Sequence, residues 1–382
     1  MIYFEHIKLQ GFRRLHGLDL PLRPLCVLIG ANSSGKTSLL DAFSLLAASA
    51  SGGLQAKISE FGGLPALMTL DRAHQVQFEL LMTVRMGHLQ FYRLAFAPSG
   101  VAYTIDEELL GQRSPVGHVS AVQIRSSRSD IRYLAVEQKV VIRPTWEHDA
   151  LETSLAQVPK TLREPEEFRS RLASSTYYRV LNVDPRAPVR LPQPLRPASL
   201  PGRDGEDLVS CLFSLRETDR DRFETITDTL RTGFPGFERL DFPPVAAGTL
   251  AMTWKERDFT RPLYMHQLSE GTLRFLWLTT LLASPGLTAV TLLDEPDVSL
   301  HPELLSLLAG LMREASQRTQ LIVATHADRL VRFLQPKEVL TLNLSEDGLT
   351  QATWADDLDL EEWLKEYTLD EVWRLGRMGG RA

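Results

Sequence analysis

Eight consecutive residues constrain this chain more than any others: Gly30-Ala31-Asn32-Ser33-Ser34-Gly35-Lys36-Thr37. They fit the pattern G-x-x-x-x-G-K-[ST], and their flanks are those the pattern needs. Residues 25–29 are apolar throughout, the mark of a strand buried on both faces in a parallel sheet. Residues 38–50 set Leu39, Leu40, Phe43, Leu46 and Ala47 along one side of a helix. A strand, a glycine-bearing turn and a helix start together make an anion cradle. The glycines let the backbone curl, its N–H groups point inward, and the helix N-terminus adds positive potential. Lys36 is expected to reach the β- and γ-phosphates of ATP, and Thr37 to offer its hydroxyl to Mg²⁺. Asn32, Ser33, Ser34, Gly35 and Ser38 complete the expected binding set.

Two acids follow another apolar run, at Thr291-Leu292-Leu293-Asp294-Glu295-Pro296. Adjacent carboxylates at the end of a buried strand are costly without a cation or solvent. Asp294 is expected to hold the metal, and Glu295 to take a proton from an attacking water. Two weaker signals stand at fixed places around them. Leu268-Ser269-Glu270-Gly271-Thr272 precedes an apolar helix and, read alone, is a plain N-cap on Ser269. His326 follows the strand at 321–325, which would put it at the carboxyl edge of a parallel sheet, where ligands bind. Ser269 lies 25 residues before Asp294, and His326 lies 31 residues after Glu295.

The order of elements is legible in outline. Residues 3–9 and 18–22 alternate like a hairpin ahead of the strand at 25–29. Residues 76–80, 89–96, 119–124 and 136–142 read as strands separated by turn residues. From about residue 150 the pattern is helical. A proline-rich stretch at 185–202 reads as an extended surface segment, and 207–231 is helical again. From 250 onward helices alternate with strands at 289–293, 321–325 and 339–344, which signals a parallel sheet. The expected organisation is an ATPase core from residues 1–50 and 250–382, an antiparallel β insertion at 51–148, and a helical, proline-rich insertion at 149–249.

Composition removes some alternatives. The formal net charge is 42 − 48 = −6, which argues against a wholly basic nucleic-acid binder. Arg125, Arg128, Arg132 and Arg143, and Arg186, Arg190, Arg196 and Arg203, leave room for a local basic groove, but such clusters are ordinarily solvated faces. The two cysteines, Cys26 and Cys211, form neither a disulfide framework nor a metal site. A reduced, cytoplasmic location and no membrane partner are expected, since no apolar run approaches ~18 residues.

Taken together, the loop, the acids, the serine motif and the histidine resemble the ATP-binding-cassette class of P-loop ATPases. The resemblance implies a Walker A loop at 30–37, a signature at 268–271, a Walker B at 291–295, a D-loop at 296–301 and a switch histidine at His326. Ile7-Lys8-Leu9-Gln10-Gly11-Phe12-Arg13 is similar to the opening of RecF-, SMC- and OLD-type ATPases. By that analogy Arg13 reaches the nucleotide phosphates. Glu295-Pro296-Asp297-Val298-Ser299-Leu300-His301-Pro302 looks like the E-P-x-x-x-L-H-P form of a stand-alone bacterial ATPase family, as do Gly62-Gly63 and the ending from Glu362-Trp363 to Gly379-Gly380-Arg381. The chain departs from the class in carrying Glu270 where transporters have Gly. No Q-loop glutamine stands out, and Gln157 is the candidate metal contact.

The fold implied is an α/β ABC-type head with a mixed, largely parallel core sheet, an antiparallel β subdomain and a helical insertion. The class implies that two chains sandwich two ATP molecules head to tail, with Ser269 and Gly271 of one chain meeting the γ-phosphate held by the other. Two uses of such a dimer stand open. One is DNA maintenance or phage defence. The other is regulation of a separate effector protein, without direct DNA binding. A transporter subunit and a ring-forming AAA+ motor fit less well: the insertion at 51–250 is too long for the first, and Ser269 and His326 have no use in the second.

Overall fold

The structure is a computed structural model that describes residues 3–84, 89–100, 102–113, 119–127, 130–135, 140–145 and 147–379. Arg128, the start of the strand expected at 136–142, and the terminal Gly380 and Arg381 lie outside the described residues.

A six-stranded sheet carries the site. Its strand order is Ser175–Tyr178, Val290–Asp294, Gln320–Ala324, Leu25–Ile29, Val339–Leu344 and Thr350–Trp354, parallel except for the last strand. We call these the edge strand, acid strand, histidine strand, loop strand and two closing strands. The loop strand is buried at every position, as its unbroken apolar run requires. Period-2 alternation divides it between two cores. Leu25, Val27 and Ile29 face a core shared with the signature helix (Glu270–Ala283) and the helix Pro302–Ala315. Cys26 and Leu28 face a core shared with the loop helix (Lys36–Ser51) and a second sheet. The acid strand obeys the same rule, with Leu293 on the first side and Val290 and Leu292 on the second.

The second sheet is antiparallel and eight-stranded: Leu18–Pro21, Phe4–Gln10, Val76–Thr83, Leu89–Ser99, Ala102–Arg113, Val119–Ser127, Asp130–Ala135 and Val140–Ile142. The antiparallel β region read from the sequence is therefore present, but its membership is wider. The opening hairpin belongs to it, with Leu9 opposite Phe78, and not to the sheet of the loop strand. The opposite departure occurs in the expected helical insertion. Ser175–Tyr178 lies in that segment yet forms the edge of the core sheet beside the acid strand. The helices Leu208–Thr218 and Arg220–Gly233 pack in the same core as the signature helix. The proline-rich stretch is not simply a surface strap: Val189 and Gln193 are buried, and the Gln193 amide caps Gly205 O at 2.6 Å.

Candidate nucleotide site

The loop strand delivers its turn at the sheet's carboxyl edge. Gly30 has φ +148°, and a Cβ there would meet Leu342 O of a neighbouring strand at 2.2 Å. Gly35 has φ +106°, in the left-handed region that side chains avoid. Gly35 caps the loop helix with no side-chain hydrogen bond, so the first N–H groups of the helix stay available to an anion. Lys36 is buried, and its Nζ donates to Gly30 O at 2.6 Å and Ala31 O at 2.9 Å, so the lysine lies folded into its own loop. Ser34 is buried with an unpartnered Oγ, whereas Asn32, Ser33 and Thr37 are exposed and Ser38 is half-buried. Thr350, on the last closing strand, donates its hydroxyl to Ser34 O at 2.8 Å and so pins the loop from 316 residues away.

The acid and histidine strands bring the remaining groups to the same edge. Their register pairs Asp294 with Ala324. Glu295 turns away with φ 50°, its N–H held by Ala324 O at 2.8 Å. Its Oε1 lies 3.6 Å from His326 Nε2. Four of the five non-glycine residues at positive φ among the described residues lie in the opening turn, the loop at 30–37 and the segment after the acid strand: Arg13, Ser33, Glu295 and Ser299. Backbone held in this region clusters at functional sites because only a rigid surround sustains the strain. Asp297 stands beside them, half-buried, and accepts a hydrogen bond from the Thr325 hydroxyl at 2.5 Å.

The electrostatics of the cluster are governed by burial. Burial pushes the Lys36 ammonium down to about 8, against the pull of Glu295 and Asp294. Burial raises Asp294 above the usual carboxylate range; a hydrogen bond from Tyr177 opposes this, and Glu295 and Asp41 add to it. Burial lowers His326, and the charge of Lys36 lowers it further. Asp41 is buried with one carboxylate oxygen unpartnered. Two carboxylates, Asp294 and Glu295, thus act on one buried lysine, and Thr37, the next residue, is exposed. This donor set fits Mg²⁺, which takes one or two protein oxygens and completes its shell with phosphate and water.

A pH dependence follows. ATP needs Lys36 charged, and phosphate oxygens raise its pKa on binding. ATP affinity is therefore expected to be flat below pH 7 and to weaken as pH rises through 8. Calorimetry at pH 8 in two buffers of different ionisation enthalpy should show proton uptake on binding; pH-independent affinity from 7 to 9.5 would contradict the burial of Lys36. In the free protein the same shift makes folding stability rise from pH 8 toward 10.5, because there the unfolded chain holds protons that the folded chain has released.

Two residues chosen from the sequence are committed elsewhere. Arg13 Nη1 pairs with Asp41 Oδ2 at 2.6 Å, and its guanidinium lies over the Phe12 and Phe61 rings. It stands against the loop helix, one turn past Thr37, as a partner of a carboxylate. Gln157 is not brought to the site by any contact of its amide. Its Oε1 accepts from Asp149 N at 2.8 Å, and its Nε2 donates to Asp149 O at 3.0 Å and Thr153 O at 3.2 Å. These bonds order the loop whose Glu152 caps the helix Leu54–Glu60. Gln157 was chosen by residue type, and that type is equally suited to tying a loop.

The signature is a helix start, as its sequence reads alone. Ser269 Oγ accepts from Thr272 N at 3.1 Å, and Ser269 and Glu270 are exposed. Gly271 is required by its neighbour, since a Cβ there would meet Ser299 O of the D-loop at 2.6 Å. Arg274 bonds Ser299 from the same helix. The segment before it is held from the insertion, where Arg190 Nη1 donates to Leu268 O at 3.0 Å. Sequence reasoning missed Tyr177, whose hydroxyl donates to Asp294 Oδ2 at 2.8 Å, and Thr350; neither belongs to a local motif.

Residues 25–332 match the family described as "AAA domain, putative AbiEii toxin, Type IV TA system". The chain belongs to that family. Its fold is that of an ABC-class, RecF- and SMC-like P-loop ATPase head. A curated relative, the DNA replication and repair protein RecF of Nitrosococcus oceani, is 29% identical over 133 residues, which is 34% of this chain and 34% of that protein. The matched stretch thus spans about a third of that relative. Among solved structures, an Smc head bound to the C-winged helix domain of ScpA aligns with a TM-score of 0.56 and 18% identity, covering 92% of this chain and 97% of that one. An Smc head with an extended coiled coil, bound to the C-terminal domain of ScpA from Pyrococcus furiosus, aligns at 0.52 and 15% identity, covering 96% and 98%. Among the described residues, no helix is long and apolar enough to cross a membrane.

Proposed function

We propose that this family member is an ATPase whose hydrolytic site is completed by a second copy of the chain. Lys36 and the amides of the loop bind the triphosphate. Thr37 and Asp294 hold Mg²⁺, which supplies neutralising charge to the phosphates. Glu295 accepts a proton from the attacking water, and His326, 3.6 Å away, orients that carboxylate. Arg13 steadies the loop helix through Asp41. The observation that carries the dimer is the exposed start of the signature helix. Ser269 and Glu270 face solvent, backed by Ser299 and Arg274, and among the described residues no hydrogen bond joins 268–271 to 30–37. A second copy placed head to tail would set Ser269 and Gly271 on its partner's nucleotide.

The test is solution mass with and without ATP, for the wild type and for Ser269→Arg. We expect the wild type to shift toward dimer with ATP, and Ser269→Arg to bind ATP yet stay monomeric. A wild type that stays monomeric at saturating ATP would overturn the shared site. For the use of the cycle we favour DNA maintenance or defence, supported by the likeness to RecF, a DNA replication and repair protein; stimulation of the ATPase by double- or single-stranded DNA is the readout. The alternative, control of a separate effector protein, is supported by the Smc heads that were solved bound to ScpA. It predicts an ATPase rate indifferent to DNA.

A further inference from the structure

The strand that borders the acid strand brings a tyrosine to Asp294. Ser175–Tyr178 runs parallel to Val290–Asp294, with Tyr177 opposite Leu292 and Tyr178 opposite Leu293. Alternation sends Tyr178 into one core and Tyr177 into the other, on the side of the loop helix. From there the Tyr177 ring, 9% exposed, extends along the strand until its hydroxyl donates to Asp294 Oδ2 at 2.8 Å. The Arg179 guanidinium lies 5.3 Å from the centroid of the same ring and covers it. A half-buried carboxylate near Glu295 and Asp41 can adopt several rotamers, and only a directional donor selects one. The Tyr177 hydroxyl is such a donor: it occupies one carboxylate oxygen and leaves the other free.

We propose that Tyr177 is a positioning residue of the metal site, fixing Asp294 so that its free oxygen faces the cation and setting the affinity for Mg²⁺ in the nucleotide complex. This rests on the reading of Asp294 as the metal acid. Groups that orient a metal ligand typically govern metal affinity by about 10–100-fold. Tyr177→Phe removes the hydroxyl and keeps the ring, its burial and the Arg179 contact.

The test uses a fluorescent ATP analogue, titrated first in EDTA and then with rising Mg²⁺, on the wild type, Tyr177→Phe and Asp294→Asn, with melting temperatures of all three. For Tyr177→Phe we expect unchanged affinity in EDTA, half-saturation by Mg²⁺ raised about 10–100-fold, and kcat recovered at saturating Mg²⁺ with the deficit confined to metal dependence. A Mg²⁺ titration that superimposes on the wild type overturns the proposal, and so does an equal loss of affinity with and without metal, which would mark a structural role. Asp294→Asn separates the two levels. If it leaves Mg²⁺ dependence intact, the metal acid itself is misassigned. If it removes that dependence while Tyr177→Phe behaves as wild type, only the role of Tyr177 fails. Should Tyr177→Phe melt early, Tyr177→His, which restores a donor on a ring, is expected to recover part of the Mg²⁺ affinity, and failure to do so counts against the hydroxyl.

Discussion

Glu295→Gln is expected to leave ATP bound and to slow hydrolysis by about 10²–10⁴-fold, the usual worth of a positioned proton acceptor. The substitution keeps the shape of the side chain and its distance from His326 while removing the basic lone pair. Among the described residues, no hydrogen bond joins this residue to Lys36 or the loop amides, and its charge acts on Lys36 only through space, so nucleotide affinity should stay within a few-fold of the wild type. The consequence for assembly is indirect but large: if hydrolysis opens the sandwich, the variant accumulates as dimer in ATP. Single-turnover hydrolysis and solution mass measure the two effects separately. A variant that hydrolyses at the wild-type rate would assign the proton acceptor elsewhere. The backbone supplies an independent control. Glu295 sits at φ 50°, a conformation that glycine adopts without strain. Glu295→Gly should therefore be inactive yet more stable than the wild type by up to about 1 kcal/mol, the roughly 1–2 kcal/mol of left-handed strain relieved less the roughly 0.5–1 kcal/mol of chain entropy that glycine adds. Greater stability together with lost activity is what strain held for function predicts.

The site was legible in the sequence wherever its chemistry is local. The loop at 30–37 carries its own strand, glycines and helix, so eight residues state the shape of the turn and point to a phosphate ligand. The acids and His326 were readable because each ends an apolar run, and parallel strands end at one edge. Legibility stopped where one segment had to choose between sheets. Alternation in Phe4–Gln10 says that one face is buried, but not that the strand pairs with Val76–Thr83 instead of the loop strand. Period 2 is the same in either sheet.

Short strands and distant partners were the other losses. Ser175–Tyr178 has four residues after a helix and gives too little pattern to be seen. Its neighbour in the sheet is 115 residues further along, so nothing near Tyr177 announces Asp294. Thr350 is hidden for the same reason. Gln157 illustrates the converse. The resemblance implies a glutamine beside the metal, whereas the amide of Gln157 is bonded within its own loop and the strand beside the acid strand presents Tyr177 to Asp294. The sheet order, not the residue type, identifies which strand supplies that position.

Lys36→Ala is the second large effect, and it acts on binding rather than chemistry. In the free protein the ammonium is buried, bonded to Gly30 O and Ala31 O, with its charge opposed by desolvation. Triphosphate offers it stronger acceptors in the same cradle, so the bonds to the loop carbonyls are exchanged for bonds to anionic oxygens. Hydrogen bonds to charged groups contribute about 1.5–3 kcal/mol each, and losing two of them should weaken ATP by roughly 10²–10⁴-fold. Tight binding retained in Lys36→Ala would contradict the assignment of the loop. The same substitution removes a charge that burial disfavours, and water entering the space left by the side chain can bond the carbonyls of Gly30 and Ala31. The free protein should therefore melt no earlier than the wild type, and the difference between the two should appear only when ATP is added. With ATP and Mg²⁺ present, the wild type gains RT ln(1 + [L]/Kd), about 2.7 kcal/mol at 100-fold saturation, and the variant gains almost nothing. Thermal melts of both proteins with and without nucleotide read this directly. If Lys36→Ala destabilises the free protein as much as the complexed one, the lysine serves the loop's structure rather than its ligand.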